Sequence, residues 1–137
     1  MRVFFETNIL VYMFDADAIE KKEQALRRFE FEASSGRLML STQVLQEFYV
    51  AVTRKLLVPL EPEEAEKVVR NLSMLPITLI DTEKIILAVV RSRKMRLSFW
   101  DALTIETALS GGADRLLTED LQHGQIIDGL VIENPFL

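Results

Sequence analysis

Four carboxylates stand where a sequence of this kind could do chemistry. Glu6 ends the short apolar run Val3-Phe4-Phe5, and Glu47 lies inside the mostly apolar stretch 42–53. Asp101 follows Ser98-Phe99-Trp100, and Asp120 closes Leu116-Leu117-Thr118-Glu119. The chain has no cysteine and one histidine, His123. That excludes a thiol nucleophile, a disulfide scaffold, a Cys-built zinc or iron–sulfur site and a His-rich metal site. Carboxylates that converge without such partners repel one another and need cations to offset the repulsion. An all-oxygen donor set selects hard ions, Mg²⁺ or Mn²⁺. Two such ions about 4 Å apart stabilise the attacking and leaving oxygens of phosphodiester cleavage, and a single ion serves a related role.

Each acid also has a plainer reading. Glu6 is equally a helix-start acid favoured by the helix dipole. Glu47 falls at the edge of the arc shared by Val44, Leu45, Phe48, Ala51 and Val52, where a boundary acid reaches solvent or pairs with Arg54. Asp101 fits a capping box with Ser98. The same helical wheel points it toward the core side, between Ile105 and Ala108, where an unpaired carboxylate costs several kcal/mol. Asp120 also reads as a turn acid or a helix N-cap. Asp81 is explained by capping the helix that follows it, and Asp114 precedes its strand, at the wrong end of a parallel sheet.

Other features have two readings each. His123 precedes Gly124 and suits an exposed turn, or a base or RNA phosphate contact. The basic run Arg91, Arg93, Lys94 and Arg96 is a solvated helix end or a holder of RNA phosphates. Lys21-Lys22 and Arg27-Arg28 read as solvated faces. Phe31 lies off its helix's apolar stripe and is a candidate partner contact, and Trp100 is a packing residue or a base-stacking one.

The elements that must position these residues follow from pattern and punctuation. Short apolar strands are predicted at 2–5, 38–40, 77–80, 115–117 and 130–132. Helices are predicted at 8–14, 18–33, 42–57, 63–74, 82–94 and 98–110. Ser41 or Thr42, Asp81 or Thr82, and Ser98 serve as caps, and Gly36 and Gly111-Gly112 as stops. In the second helix the stripe Ile19, Lys22, Leu26, Phe29 and Ala33 faces inward. Strands alternating with helices imply a parallel sheet covered on both faces. In such sheets ligands sit beyond the carboxyl ends of the strands, where strand order reverses.

At 137 residues the chain is a single domain, residues 1–137. Apolar residues at 49% and charged residues at 27% describe a globular protein with its own core. The net charge of -5 argues against nucleic-acid binding by bulk charge alone. No apolar run suits a membrane span and the first residues lack a signal-peptide core, so a cytoplasmic protein is expected. Gly-x-Gly-x-x-Gly, Gly-Lys-Ser/Thr and Gly-x-Ser-x-Gly motifs are all missing, which disfavours nucleotide-binding and serine-hydrolase folds. A phospho-receiver domain needs a late lysine, and none follows Lys94.

Four motifs in order carry a family resemblance. They are Val3-Phe4-Phe5-Glu6-Thr7-Asn8-Ile9-Leu10, Glu47 in its apolar helix, Phe99-Trp100-Asp101-Ala102, and Leu117-Thr118-Glu119-Asp120. Together they resemble a PIN domain, and most closely the VapC-type ribonuclease toxins of toxin–antitoxin pairs. The resemblance implies a three-layer α/β/α sandwich with a five-stranded parallel sheet. It implies Mg²⁺- or Mn²⁺-dependent endoribonuclease activity carried by Glu6, Glu47, Asp101 and Asp120, with Glu6, Asp101 and Asp120 as metal ligands. Asn8 would steady the first motif, and Thr118 would orient a ligand or water. Many members are homodimers inhibited by a small antitoxin protein.

One position departs from the family pattern, which has Asp where this chain has Glu6. The added methylene displaces the carboxylate by about one C–C bond, roughly 1.5 Å. Misplacement of that order can cost about 10²-fold in rate. The expectation is a weakened or abolished activity. The alternative is a PIN-like module that binds RNA or an antitoxin without cleaving.

Overall fold

The computed structural model describes residues 1–137. In chain order the elements are β1 (Val3–Phe5), α1 (Thr7–Tyr12), α2 (Ile19–Ser34), β2 (Leu38–Ser41), α3 (Thr42–Arg54) and α4 (Pro62–Leu72). Then come β3 (Ile77–Thr78), α5 (Thr82–Met95), α6 (Phe99–Ser110), β4 (Arg115–Leu117), β5 (Ile126–Ile127) and β6 (Leu130–Glu133). No helix is long and apolar enough to cross a membrane.

The sheet has six strands in the order β3-β2-β1-β4-β6-β5. Every pairing is parallel except β5 with β6. The five predicted parallel strands are present, and the sixth, β5, corrects the expected count. It arises from Ile126-Ile127-Asp128-Gly129-Leu130, where Ile127 pairs with Leu130 across a two-residue turn. Asp128 and Gly129 both take positive φ, 49° and 87°, as tight primed hairpin turns require. Asp-Gly is the favoured sequence for such a turn.

Right-handed crossovers place the helices. The chain moves from β1 to β2 to β3 in one direction, which puts α1 to α4 on one face. It then returns past β1 to β4, which puts α5 and α6 on the other. The packing agrees: α1 lies against α2 and α3, α3 against α4, and α5 against α6. With both faces covered, the central strands have no polar side. Val3, Phe4 and Phe5 are wholly buried, and β2 is buried along its length. The core joins these strands to Ile9, Leu10, Phe48, Ile105 and Leu116.

The predicted caps resolve to single residues. Ser41 accepts from the Val44 amide, Asp81 from the Lys84 amide and Ser98 from the Asp101 amide. Of the predicted inner stripe of α2, Leu26, Phe29 and Ala33 pack on the core and Ile19 departs from it. Ile19 is exposed, while Ala25 and Glu32 are buried. The buried Glu32 is paired there by both Arg28 and Arg37. Arg28 also pairs with Glu133 of β6, which Arg115 of β4 binds as well. Arg28 is therefore a structural ion-pair residue, not part of a solvated face.

Candidate active site

The reversal of strand order falls between β1 and β4, and the site lies beyond their carboxyl ends. Glu6 follows β1, and its amide donates to the Leu117 carbonyl at 3.0 Å. Thr118 follows β4, and its amide donates to the Glu133 carbonyl at 3.0 Å. The sheet's own hydrogen bonding thus holds both residues. Glu6 stands at the N-cap position of α1, but its side chain caps nothing. Asp101 occupies the first turn of α6, with its amide bound to the Ser98 hydroxyl at 3.1 Å. No bond returns from its carboxylate to Ser98, so half of the capping box forms and the carboxylate is free to turn elsewhere.

It turns to Glu6 and Asp120. Each of the three residues can offer one carboxylate oxygen within 4.8 Å of the others. No lysine or arginine bonds any of them. The Asn8 carboxamide lies between two, its Nδ2 donating to Glu6 Oε2 at 3.2 Å and to Asp120 Oδ2 at 3.1 Å. Its Oδ1 is buried with no partner. The Thr118 hydroxyl donates to Glu6 Oε2 and accepts from the Asp120 amide at 3.0 Å.

The electrostatics record three acids held together without a counter-ion. Burial, foremost, pushes the Glu6 carboxyl up to about 7; the Thr118 hydroxyl opposes this, while Asp120, Asp101 and Glu47 add to it. Asp120 is also pushed up, first by burial, then by Asp101 and Glu119, with Asn8 pulling the other way. The donor set is all oxygen, and Asn8 Oδ1 adds an acceptor without a partner. Such a set suits a hard divalent cation.

Glu47 stands apart from the three. It is exposed on α3 and accepts from the Thr7 hydroxyl at 2.9 Å; Arg54 does not pair with it. It lines the same cleft, of about 710 Å³, as the other acids. The cleft has an acidic floor and an apolar wall that includes Val11, Val50, Leu56 and Trp100. Lys55, which no motif in the sequence marks, is the one basic residue lining it. Trp100 is exposed, with its ring edge-to-face on Phe99.

The remaining candidates lie outside the cleft. Arg93 and Lys94 are exposed in the last turn of α5, and Arg96 closes that helix in the left-handed conformation. Arg91 is engaged by Glu106 and Asp128. His123 accepts from the Asn134 amide through Nδ1 at 3.0 Å. Phe31 is exposed as expected, with the Arg37 guanidinium over its ring. Lys21, read from sequence as solvated, is bound to Glu119 and Tyr12 beside the site. No local pattern marks that contact, because Lys21 and Glu119 meet only across the fold.

Comparison with known proteins agrees with this geometry. Among solved structures, a toxin–antitoxin complex from Klebsiella pneumoniae has a chain 21% identical, with a TM-score of 0.71 and 97% of each chain covered. A DNA-bound VapBC from Salmonella typhimurium has one 24% identical, with a TM-score of 0.66 and 98% of each chain covered. VapC20 of Mycobacterium tuberculosis, described as a sarcin–ricin loop cleaving toxin, is 18% identical with a TM-score of 0.64, covering 86% of this chain and 89% of its own. At these identities the likeness is one of fold. No curated protein sequence matches. The profile of the PIN domain family, by contrast, matches residues 3–127, a span that holds β1 to β5 together with Glu6, Glu47, Asp101 and Asp120, and the chain belongs to that family.

Proposed function

We propose that the chain is a Mg²⁺- or Mn²⁺-dependent endoribonuclease, the toxin of a VapBC-type toxin–antitoxin pair. The observation that carries this is the convergence of Glu6, Asp101 and Asp120 at the strand-order reversal, with no basic side chain to neutralise them. These three residues would hold the ion. When bound, it supplies an activated water and offsets charge on the phosphate. Asn8 keeps Glu6 and Asp120 apart yet adjacent, and Thr118 orients Glu6. Glu47, on the cleft wall, faces substrate or a second ion. Arg93, Lys94, Arg96 and His123 are proposed as RNA phosphate contacts beyond the cleft, and the likeness to toxin–antitoxin complexes supports a small antitoxin as partner.

A second copy of the chain is proposed as a further partner. Ile85, Ile86, Leu87 and Val89 are all exposed on α5. That helix carries Glu83 where it starts, beside an Asp81 paired with Lys84, and is basic where it ends, at Arg93 and Lys94. Two copies packed antiparallel about a twofold axis bury the aliphatic residues and set unlike charges opposite each other. Arg96 and part of the basic end stay at the rim, open to RNA.

The test is cleavage of a structured RNA in Mg²⁺ or Mn²⁺, with chelator controls, by the chain and its Glu6→Asp variant. Chelator-sensitive cutting by either supports the reading. Cutting by Glu6→Asp alone makes Glu6 the disabling residue, and no cutting by either on any RNA tried favours the second reading, a PIN-like module that binds RNA or an antitoxin without cleaving.

A further inference from the structure

Glu119 and Asp120 are adjacent acids on the bend after β4, and they face different partners. Asp120 joins the carboxylate cluster. Glu119 accepts from the Tyr12 hydroxyl at 2.6 Å through Oε1 and from the Lys21 ammonium through Oε2. Lys21 Nζ is also 3.4 Å from the Tyr12 hydroxyl, 4.9 Å from the Tyr12 ring centre and 5.2 Å from the ring of Phe136. The two rings meet edge-to-face at 5.1 Å. Three side chains, from α1, the bend and the C-terminal segment, thus meet the one ammonium group that Lys21 brings from α2.

Of the three clustered acids, Asp120 needs this support most. Glu6 is held by the β1–β4 ladder, and Asp101 by the first turn of α6. Asp120 is exposed and lies in neither helix nor strand. Its own ties are the Thr118 hydroxyl on its amide and the Asn8 carboxamide on its carboxylate. A bend residue with so few ties also depends on what holds the bend, and Glu119 is the bend's second tie to the helices, beside the Asn8–Asp120 bond.

We propose that Lys21 is a positioning residue for the carboxylate cluster: by anchoring Glu119 against Tyr12 and Phe136, it holds the Asp120 carboxylate within reach of Glu6 and Asp101. This rests on the reading of those three acids as a divalent-cation site. Lys21 also neutralises the acid next to Asp120, so the bend adds less repulsion to the cluster.

Mn²⁺ titration of the full chain by electron paramagnetic resonance tests this, with Asp101→Asn as the control that locates the ion and thermal melting run on every variant. Lys21→Met is expected to weaken Mn²⁺ binding about tenfold, the usual scale for losing a residue that orients a ligand. Lys21→Arg, which keeps the charge and the donors, is expected to recover most of the affinity. The sign of the change separates positioning from simple electrostatics, because deleting a nearby cation should by itself tighten the binding of another. Unchanged or tighter binding by Lys21→Met overturns the proposal, including the case where only the melting temperature falls. An unaltered chain that binds no Mn²⁺ overturns the cation-site reading itself, and this inference with it.

Discussion

Thr118, one residue past β4, donates its hydroxyl hydrogen to the carboxylate of Glu6, one residue past β1. The bond crosses the seam where strand order reverses, and Thr118 is wholly buried. A hydrogen bond to a charged group contributes about 1.5–3 kcal/mol. Thr118→Val keeps the shape and deletes the bond. It is expected to destabilise the chain by that amount above pH 7, where Glu6 is ionised, and by less at pH 5. Urea unfolding at the two pH values checks this; equal losses at both would show that the bond does not act on the charged form.

Stability should itself depend on the ionisation of Glu6. Its carboxyl is pushed up to about 7 in the folded chain, against an ordinary value of 4.5. The folded state therefore holds a proton that the unfolded state has released between those values. Its contribution is fully present below pH 4.5 and is lost as pH rises through 7. At 1.36 kcal/mol per pH unit the loss amounts to at most about 3 kcal/mol. Melting curves of the chain in chelator should show this fall from Glu6, and Glu6→Gln should flatten it.

A divalent ion reverses that trend. Binding requires the carboxylates ionised, so it releases protons near neutral pH. Mn²⁺ should raise the melting temperature more at pH 8 than at pH 6. Heats of binding measured in two buffers of different ionisation enthalpy should differ, in proportion to the protons released. Asp101→Asn is expected to abolish the stabilisation, whereas Glu47→Gln, outside the trio and bound to Thr7, should reduce it far less. Equal losses in the two variants would place Glu47 among the ligands.

Close approach at the end of α6 makes Gly111 sensitive. A Cβ there would lie 2.2 Å from Met39 Cε and 2.5 Å from Thr78 Oγ1. The Met39 side chain can shift, but the Thr78 hydroxyl is on a short, branched side chain of β3. Gly111→Ala should cost about 1–3 kcal/mol, the usual cost of overpacking. Denaturant unfolding reads it directly, and an unchanged midpoint would mean that β3 moves aside freely.

The aliphatic face of α5 gives the dimer a direct test. A charge at its centre, Ile86→Glu, should convert a dimer to a monomer in sedimentation equilibrium. If the unaltered chain sediments as a monomer at tens of micromolar, roughly the range where weak association shows, the second copy is not the partner of this face.

Much of the architecture was legible in the sequence because it is set locally. Apolar runs such as Val3-Phe4-Phe5, ended by polar residues, specify buried strands. Ser41, Asp81 and Ser98 cap their own helices through bonds that span three residues. The four acids were visible for the same reason: each sits at a strand end or on a helix whose periodicity can be counted. Even the extra strand has a local signal, the Asp128-Gly129 turn.

Which of those residues meet depends on strand order, and local pattern does not carry strand order. Glu6 and Asp120 are far apart in sequence and are joined through Asn8 only because β1 pairs with β4. The packing of α3 and α6 likewise brings Asp101 into the cluster and leaves Glu47 on the same cleft beside it. Charges behaved likewise. Lys21 and Arg28 look solvated along their helix, yet each meets an acid near the other end of the chain, Glu119 or Glu133. Residue types and their periodicity settled what each segment would be and what chemistry it could offer. Long-range packing alone decided which charges lie close enough to act as one group, because Coulomb interactions follow distance in space and take no account of separation along the chain.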